Sequence, residues 1–130
     1  MSGTGKYVVA VVDDDRRVLE SLKDLLESAG YEARPFPSAA NLLAHEGGLT
    51  DLDCLISDIG MPGMDGFELR RAAKAARADL PVILITGRNG LSQLPDSDSD
   101  CMDGFFRKPV DSSALLAAIG KALEASPRNK

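Results

Sequence analysis

Apolar positions along the chain alternate between two periods. Tyr7 to Val12 is a short run rich in β-branched residues. It is followed by Val18, Leu22, Leu25, Leu26 and Ala29 at helical spacing, with Gly30 closing the helix. Tyr31 to Phe36 reads as a poorer second strand, and Pro35, which has no N–H to give to a ladder, suits an edge position. Ser38 can cap a helix running to about His45. Leu55 to Ser57 forms the heart of a third strand. Leu69, Ala72, Ala73 and Ala76 then mark a third helix, with Arg70, Arg71, Lys74 and Arg77 on its wet side. The run PVILIT, Pro81 to Thr86, is a fourth strand, and Phe105 and Phe106 sit in a short fifth. Asp111 or Ser112 caps a last helix that carries Leu115, Leu116, Ile119 and Leu123 on one face.

Alternating strands and helices predict a parallel sheet covered by helices on both faces. In such folds functional groups gather beyond the carboxyl ends of the strands, where the strand order reverses. Strand one ends in Asp13-Asp14-Asp15, strand three in Asp58, strand four in Thr86 and strand five in Arg107-Lys108-Pro109. Acids, a hydroxyl and an ammonium are thus delivered to one rim, and Asp58 is expected to be displayed there rather than buried in the core. The loop after it, IGMPGMDG, holds Gly60, whose carbonyl is left accessible. It also holds Gly63 and Gly66, expected to permit positive φ before the next helix.

The 130 residues are the size of one domain, taken here as 1–130 with a core at about 6–125. A net charge of −5 argues against direct nucleic-acid binding, which needs a basic face. No apolar run approaches the roughly 18 residues of a membrane span. The six-residue run at the start is too short for a secretory signal. A cytoplasmic location is the expectation. Cys54 and Cys101 form no disulfide framework and no metal spacing. Cys54 reads as a small buried residue.

Converging carboxylates repel one another in a partly dehydrated cleft and need a cation. Oxygen ligands with a few waters suit Mg²⁺ better than an all-protein Ca²⁺ cage. A carboxylate beside Mg²⁺ and a lysine is a competent nucleophile toward phosphorus. Thr86 could donate a hydrogen bond to a transferred phosphoryl oxygen.

With VVDDD, SDIGMPGMDG, ITG and FFRKP in order, each at a strand end, the chain resembles the receiver domain of two-component response regulators over about residues 6–125. The MPGMDG and ITG wording is similar to the FixJ-like branch. The resemblance implies a flavodoxin/CheY-like fold: five parallel strands in the order 2-1-3-4-5, with five helices. It implies that Asp58 accepts a phosphoryl group from a sensor histidine kinase. Asp14 would bind Mg²⁺ directly, Asp13 mainly through water, and Asp58 and the Gly60 carbonyl would complete the protein ligands. Lys108 would pair with the phosphoryl group, Thr86 would move to bond it, and Phe105 would turn inward to fill the vacated space. The Lys108–Pro109 bond would be cis. Such a domain is a self-phosphorylating substrate with slow autodephosphorylation, not a turnover enzyme. An output domain or partner protein would read the switch, regulating transcription if a DNA-binding domain follows, and a homodimer on phosphorylation is a further partner the family implies. A different reading is a degenerate receiver that serves only as an interaction module, but every residue whose loss would mark it is present.

One segment departs from the pattern. RNGLSQLPDSDSDCMDG, between strands four and five, carries Pro95 and an Asp/Ser alternation that disfavour a helix interior, so the fourth helix is expected to be short or irregular. Asp96, Asp98 and Asp100 imitate a calcium loop, but Cys101 and Arg107 stand where that loop needs Gly and Glu. GTGK precedes a strand instead of following one and is not a phosphate loop. A dehalogenase-type phosphatase would need an acid where Gly60 stands. A flavin carrier would not place aspartates after strand one.

Overall fold

The computed structural model describes residues 7–45, 48–60, 63–86, 104–107 and 111–125. Strands β1 (Val8–Val12), β2 (Glu32–Phe36), β3 (Cys54–Asp58), β4 (Val82–Thr86) and β5 (Gly104–Arg107) pair in parallel in the order β2-β1-β3-β4-β5. The expected order 2-1-3-4 is borne out, and β2, with Pro35 exposed, lies at the edge. The helices are α1 (Arg16–Ser28), α2 (Ala39–Ala44), α3 (Gly66–Ala76) and, fourth among the described helices, α4 (Ser112–Ala125). The short or irregular helix expected within 88–103 lies outside the described residues.

Side chains alternate across a strand, so each strand feeds two cores. Val8, Ala10, Val12, Leu55, Val82 and Leu84 face α2 and α3, where Leu42, Leu69 and Ala73 are fully buried. Val9, Val11, Cys54, Ile56, Ile83 and Ile85 face α1 and α4, where Leu26, Leu115 and Ile119 are fully buried. A strand buried on both faces reads as a continuous apolar run, which is why VVAVV and VILIT show no alternation. At about 1.5–3 kcal/mol for each large apolar side chain buried, this two-sided core is the main force holding the sheet rim in place.

The helix boundaries follow local chemistry. Asp15 caps α1 by accepting from the Arg17 amide at 2.9 Å. Ser38 caps α2 as expected. Asp65 and Glu68 form a reciprocal capping box at the start of α3. Asp111, one of the two expected caps, accepts from the amides of Ser113 and Ala114. The buried stripe of α1 is Leu19, Leu22 and Leu26, with Val18 and Leu25 half-buried beside it and Ala29 exposed. The predicted stripe is therefore rotated slightly, because Leu19 is the residue that points at the sheet. No described helix is long and apolar enough to cross a membrane.

Candidate functional site

The chain leaves β1 toward β2 on one side and returns to β3 on the other, so the strand order reverses between β1 and β3. The register there pairs Val12 with Ser57. One step further along lie Asp13, just past β1, and Asp58, the last residue of β3. Two carboxylates are thus set side by side at the crevice where ligands bind in doubly wound folds. Asp14 follows at the open mouth. One carboxylate oxygen from each of Asp13, Asp14 and Asp58 lies within 4.8 Å of the others.

Burial differs among the three. Asp13 is 2% exposed and Asp58 5%, while Asp14 is exposed. The expectation that Asp58 is displayed rather than buried needs correcting: it stands at the strand end, yet the β3–α3 connection and neighbouring strands cover it. Charges about 5 Å apart near a protein surface repel by roughly 3 kcal/mol per pair, so a cation among these oxygens removes a large unfavourable term. Three hard oxygen donors, one of them open to water, fit a small divalent ion that keeps part of its hydration shell, as Mg²⁺ does. Asp13, Asp14 and Asp58 could hold it. Asp15 is not part of the cluster; its carboxylate is used as the α1 cap, and its amide donates to Asp13 at 2.8 Å, which orients that side chain.

The other expected site residues fall as follows. Gly60 is exposed two residues beyond the acceptor. Thr86 ends β4, fully buried, next to Ile85, which pairs with Asp58. Phe105 pairs with Leu84 in β5, its ring lying outside the described side chains. Lys108 and the Lys108–Pro109 bond lie outside the described residues, one position past the end of β5.

Two features escaped the sequence reading. The buried Ser57 hydroxyl donates to the carbonyl of Asp58 at 2.9 Å. Gly63 does adopt positive φ, at 77°, but Gly66 does not. Gly66 is required for room: a Cβ there would stand 2.6 Å from the Asp58 carbonyl oxygen and 2.7 Å from the Ile59 Cα. The signal in the sequence was its place immediately after a cap residue, where nothing calls for positive φ.

The family described as response regulator receiver domain matches residues 9–120. The response regulator protein TmoT of Ectopseudomonas mendocina is 35% identical over 95% of this chain and 56% of its own length. The transcriptional regulatory protein FixJ of Bradyrhizobium diazoefficiens is 34% identical over 98% of this chain and 62% of its own. The similarity to FixJ expected from the motif wording is therefore found. The chain spans little more than half the length of these relatives. A solved receiver domain protein from Clostridium thermocellum superposes with a TM-score of 0.82 at 28% identity, covering 91% of this chain and 94% of the other.

Proposed function

Because the chain belongs to the response regulator receiver domain family, we propose that Asp58 accepts a phosphoryl group from a phosphohistidine of a sensor kinase and thereby switches a partner surface. The observation that supports this most is the meeting of Asp13, Asp14 and Asp58 at the point where strand order reverses.

In this reading a carboxylate oxygen of Asp58 attacks phosphorus. The P–N bond breaks, its electron pair returns to the donor imidazole, and an acyl phosphate remains on Asp58. Asp13, Asp14, Asp58 and the Gly60 carbonyl would hold Mg²⁺, which when bound supplies positive charge against the phosphoryl oxygens. Asp13 is kept in place by the Asp15 amide, and burial of Asp58 limits the water that reaches the acceptor. Lys108 would neutralise a phosphoryl oxygen, and the Thr86 hydroxyl would donate to another. The new group brings roughly −2 charge and three acceptor oxygens to the rim. Thr86 is drawn toward it, Phe105 fills the space, and the surface around β5 is biased.

The domain is then a substrate that reacts once per phosphorylation, with slow loss of the acyl phosphate, and not a turnover enzyme. The relatives are longer, and several are transcriptional regulators, so an output domain or a separate protein would read the switch. A cytoplasmic location fits a partner of a kinase domain. Incubation with a small acyl phosphate and Mg²⁺, followed by intact-mass measurement, tests the reading. The wild-type chain should gain one phosphoryl group and Asp58→Asn none; equal gain in both would end it.

A further inference from the structure

We propose that Gly66, acting with Ser57, is a positioning residue for the acceptor: its bare α-carbon lets α3 lie against the peptide that joins Asp58 to Ile59, and that contact fixes where the Asp58 carboxylate and the Gly60 carbonyl stand. The inference rests on the phosphoryl-acceptor reading above.

The Asp58–Ile59 peptide is gripped from three directions. Its amide, on Ile59, donates to the Ile85 carbonyl of β4 at 2.8 Å. Its carbonyl, on Asp58, accepts from the Ser57 hydroxyl at 2.9 Å. On the third side stands Gly66, whose own amide donates to the Ile59 carbonyl at 3.0 Å and ties the whole connecting loop back to its start. A Cβ on Gly66 would meet the Asp58 carbonyl oxygen at 2.6 Å, the Ile59 Cα at 2.7 Å and the Asp58 carbonyl carbon at 3.1 Å. Carbon atoms make favourable contact only from about 3.5 Å outward.

All three obstructing atoms are main chain, so no side chain can swing aside to relieve the clash. Either the first turn of α3 retreats or the peptide tilts. Retreat is opposed by Leu69 and Ala73, both fully buried, and by the Asp65–Glu68 capping box. A tilt re-aims the acceptor carboxylate on one side of the peptide and the Gly60 carbonyl one residue beyond its other side. Either way the ligand set around the cation changes. The second helical glycine with known surroundings, Gly120 in α4, has nothing within 4 Å of the equivalent Cβ. It serves as the internal control.

The test compares Gly66→Ala, Ser57→Ala, Gly120→Ala and the wild-type chain. Three quantities are read: the Mg²⁺ dissociation constant by titration calorimetry, the phosphorylation rate with a small acyl phosphate at saturating Mg²⁺, and the urea midpoint. A misplacement on the ångström scale costs up to about a hundredfold in rate. Gly66→Ala should therefore lose about tenfold to a hundredfold in phosphorylation rate and bind Mg²⁺ more weakly. Ser57→Ala should move the same two quantities in the same direction by smaller factors, and Gly120→Ala should move neither. If Gly66→Ala does not fold, Ser57→Ala, which removes one hydroxyl, carries the decision. Lowered urea midpoints with wild-type rate and Mg²⁺ affinity in both variants would reduce Gly66 to a packing glycine and overturn the proposal. Failure of the acceptor reading looks different: the wild-type chain takes up no phosphoryl group, or Asp58→Asn takes up as much. The Mg²⁺ affinities of the two variants still decide the positioning role in that case.

Discussion

The backbone amide of Val8 donates to the Asp53 carboxylate at 2.7 Å, a buried bond between residues 45 positions apart. The Asp53 amide returns a bond to the Val8 carbonyl at 2.8 Å. This exchange closes the amino ends of β1 and β3, the ends away from the acidic cluster. Leaving a buried donor without its acceptor costs about 1–3 kcal/mol. Asp53→Ala should lower the unfolding free energy in urea by that amount, and Asp53→Asn, which keeps an acceptor oxygen, should recover much of it. Both folded variants should be phosphorylated at the wild-type rate; a slowed rate would show that the two ends of the strands are coupled.

Neutralising Asp13 should have opposite effects on stability and on function. Asp13→Asn keeps an acceptor for the Asp15 amide but removes one charge from the cluster. The Mg²⁺-free protein should gain about 1 kcal/mol, or several degrees in melting temperature, while Mg²⁺ affinity falls at least tenfold. Thermal melts with chelator and with excess Mg²⁺ check both signs. A variant less stable than wild type in chelator contradicts the repulsion argument.

Arg77 fastens the start of the loop before β3. Its guanidinium donates to the carbonyls of Leu49 at 2.9 Å and Leu52 at 2.6 Å and pairs with Asp79 at 2.9 Å. Lysine keeps the charge but not the planar fork. Arg77→Lys should cost about 1–3 kcal/mol. Amide exchange near residues 49–53 should speed up more than exchange in β4, and uniform acceleration throughout would show that the clamp is not local.

Tyr31 gives a prediction on the alkaline side. Its phenol is pushed above the usual tyrosine value chiefly by burial, then by the nearby Cys54 and Tyr7. The folded chain therefore holds this proton more tightly than the unfolded chain. Its contribution is intact below the ordinary value of about 10 and is lost as pH climbs through the higher folded value. Urea midpoints of wild type should drop more steeply over that window than those of Tyr31→Phe; parallel curves would count against the assignment.

Much of this was legible in the sequence because it depends on neighbours along the chain. The strands Val8–Val12 and Val82–Thr86, the Ser38 cap and the edge position of Pro35 follow from period, cap chemistry and a missing N–H. So does the convergence of Asp13, Asp14 and Asp58, once strand order is taken from the alternation of elements. What stayed hidden depends on remote partners. Nothing beside Asp53 in sequence says that its carboxylate meets Val8. Nothing beside Gly66 says that α3 presses on the acceptor's own peptide. The burial of Asp58 likewise comes from elements packed over it, which a strand-end position does not reveal.

Pro35 has an effect beyond its own strand. The Glu32 amide points inward to the Tyr7 carbonyl, so alternation turns the nitrogens of residues 33 and 35 outward. One of those two carries no hydrogen. The outer border of β2 therefore offers an incoming chain a broken row of donors, and a second copy cannot extend this sheet by continuous strand addition there. Crowded molecules are thereby protected from fibre-like growth along that border, and any partnership on that flank must be made through side chains.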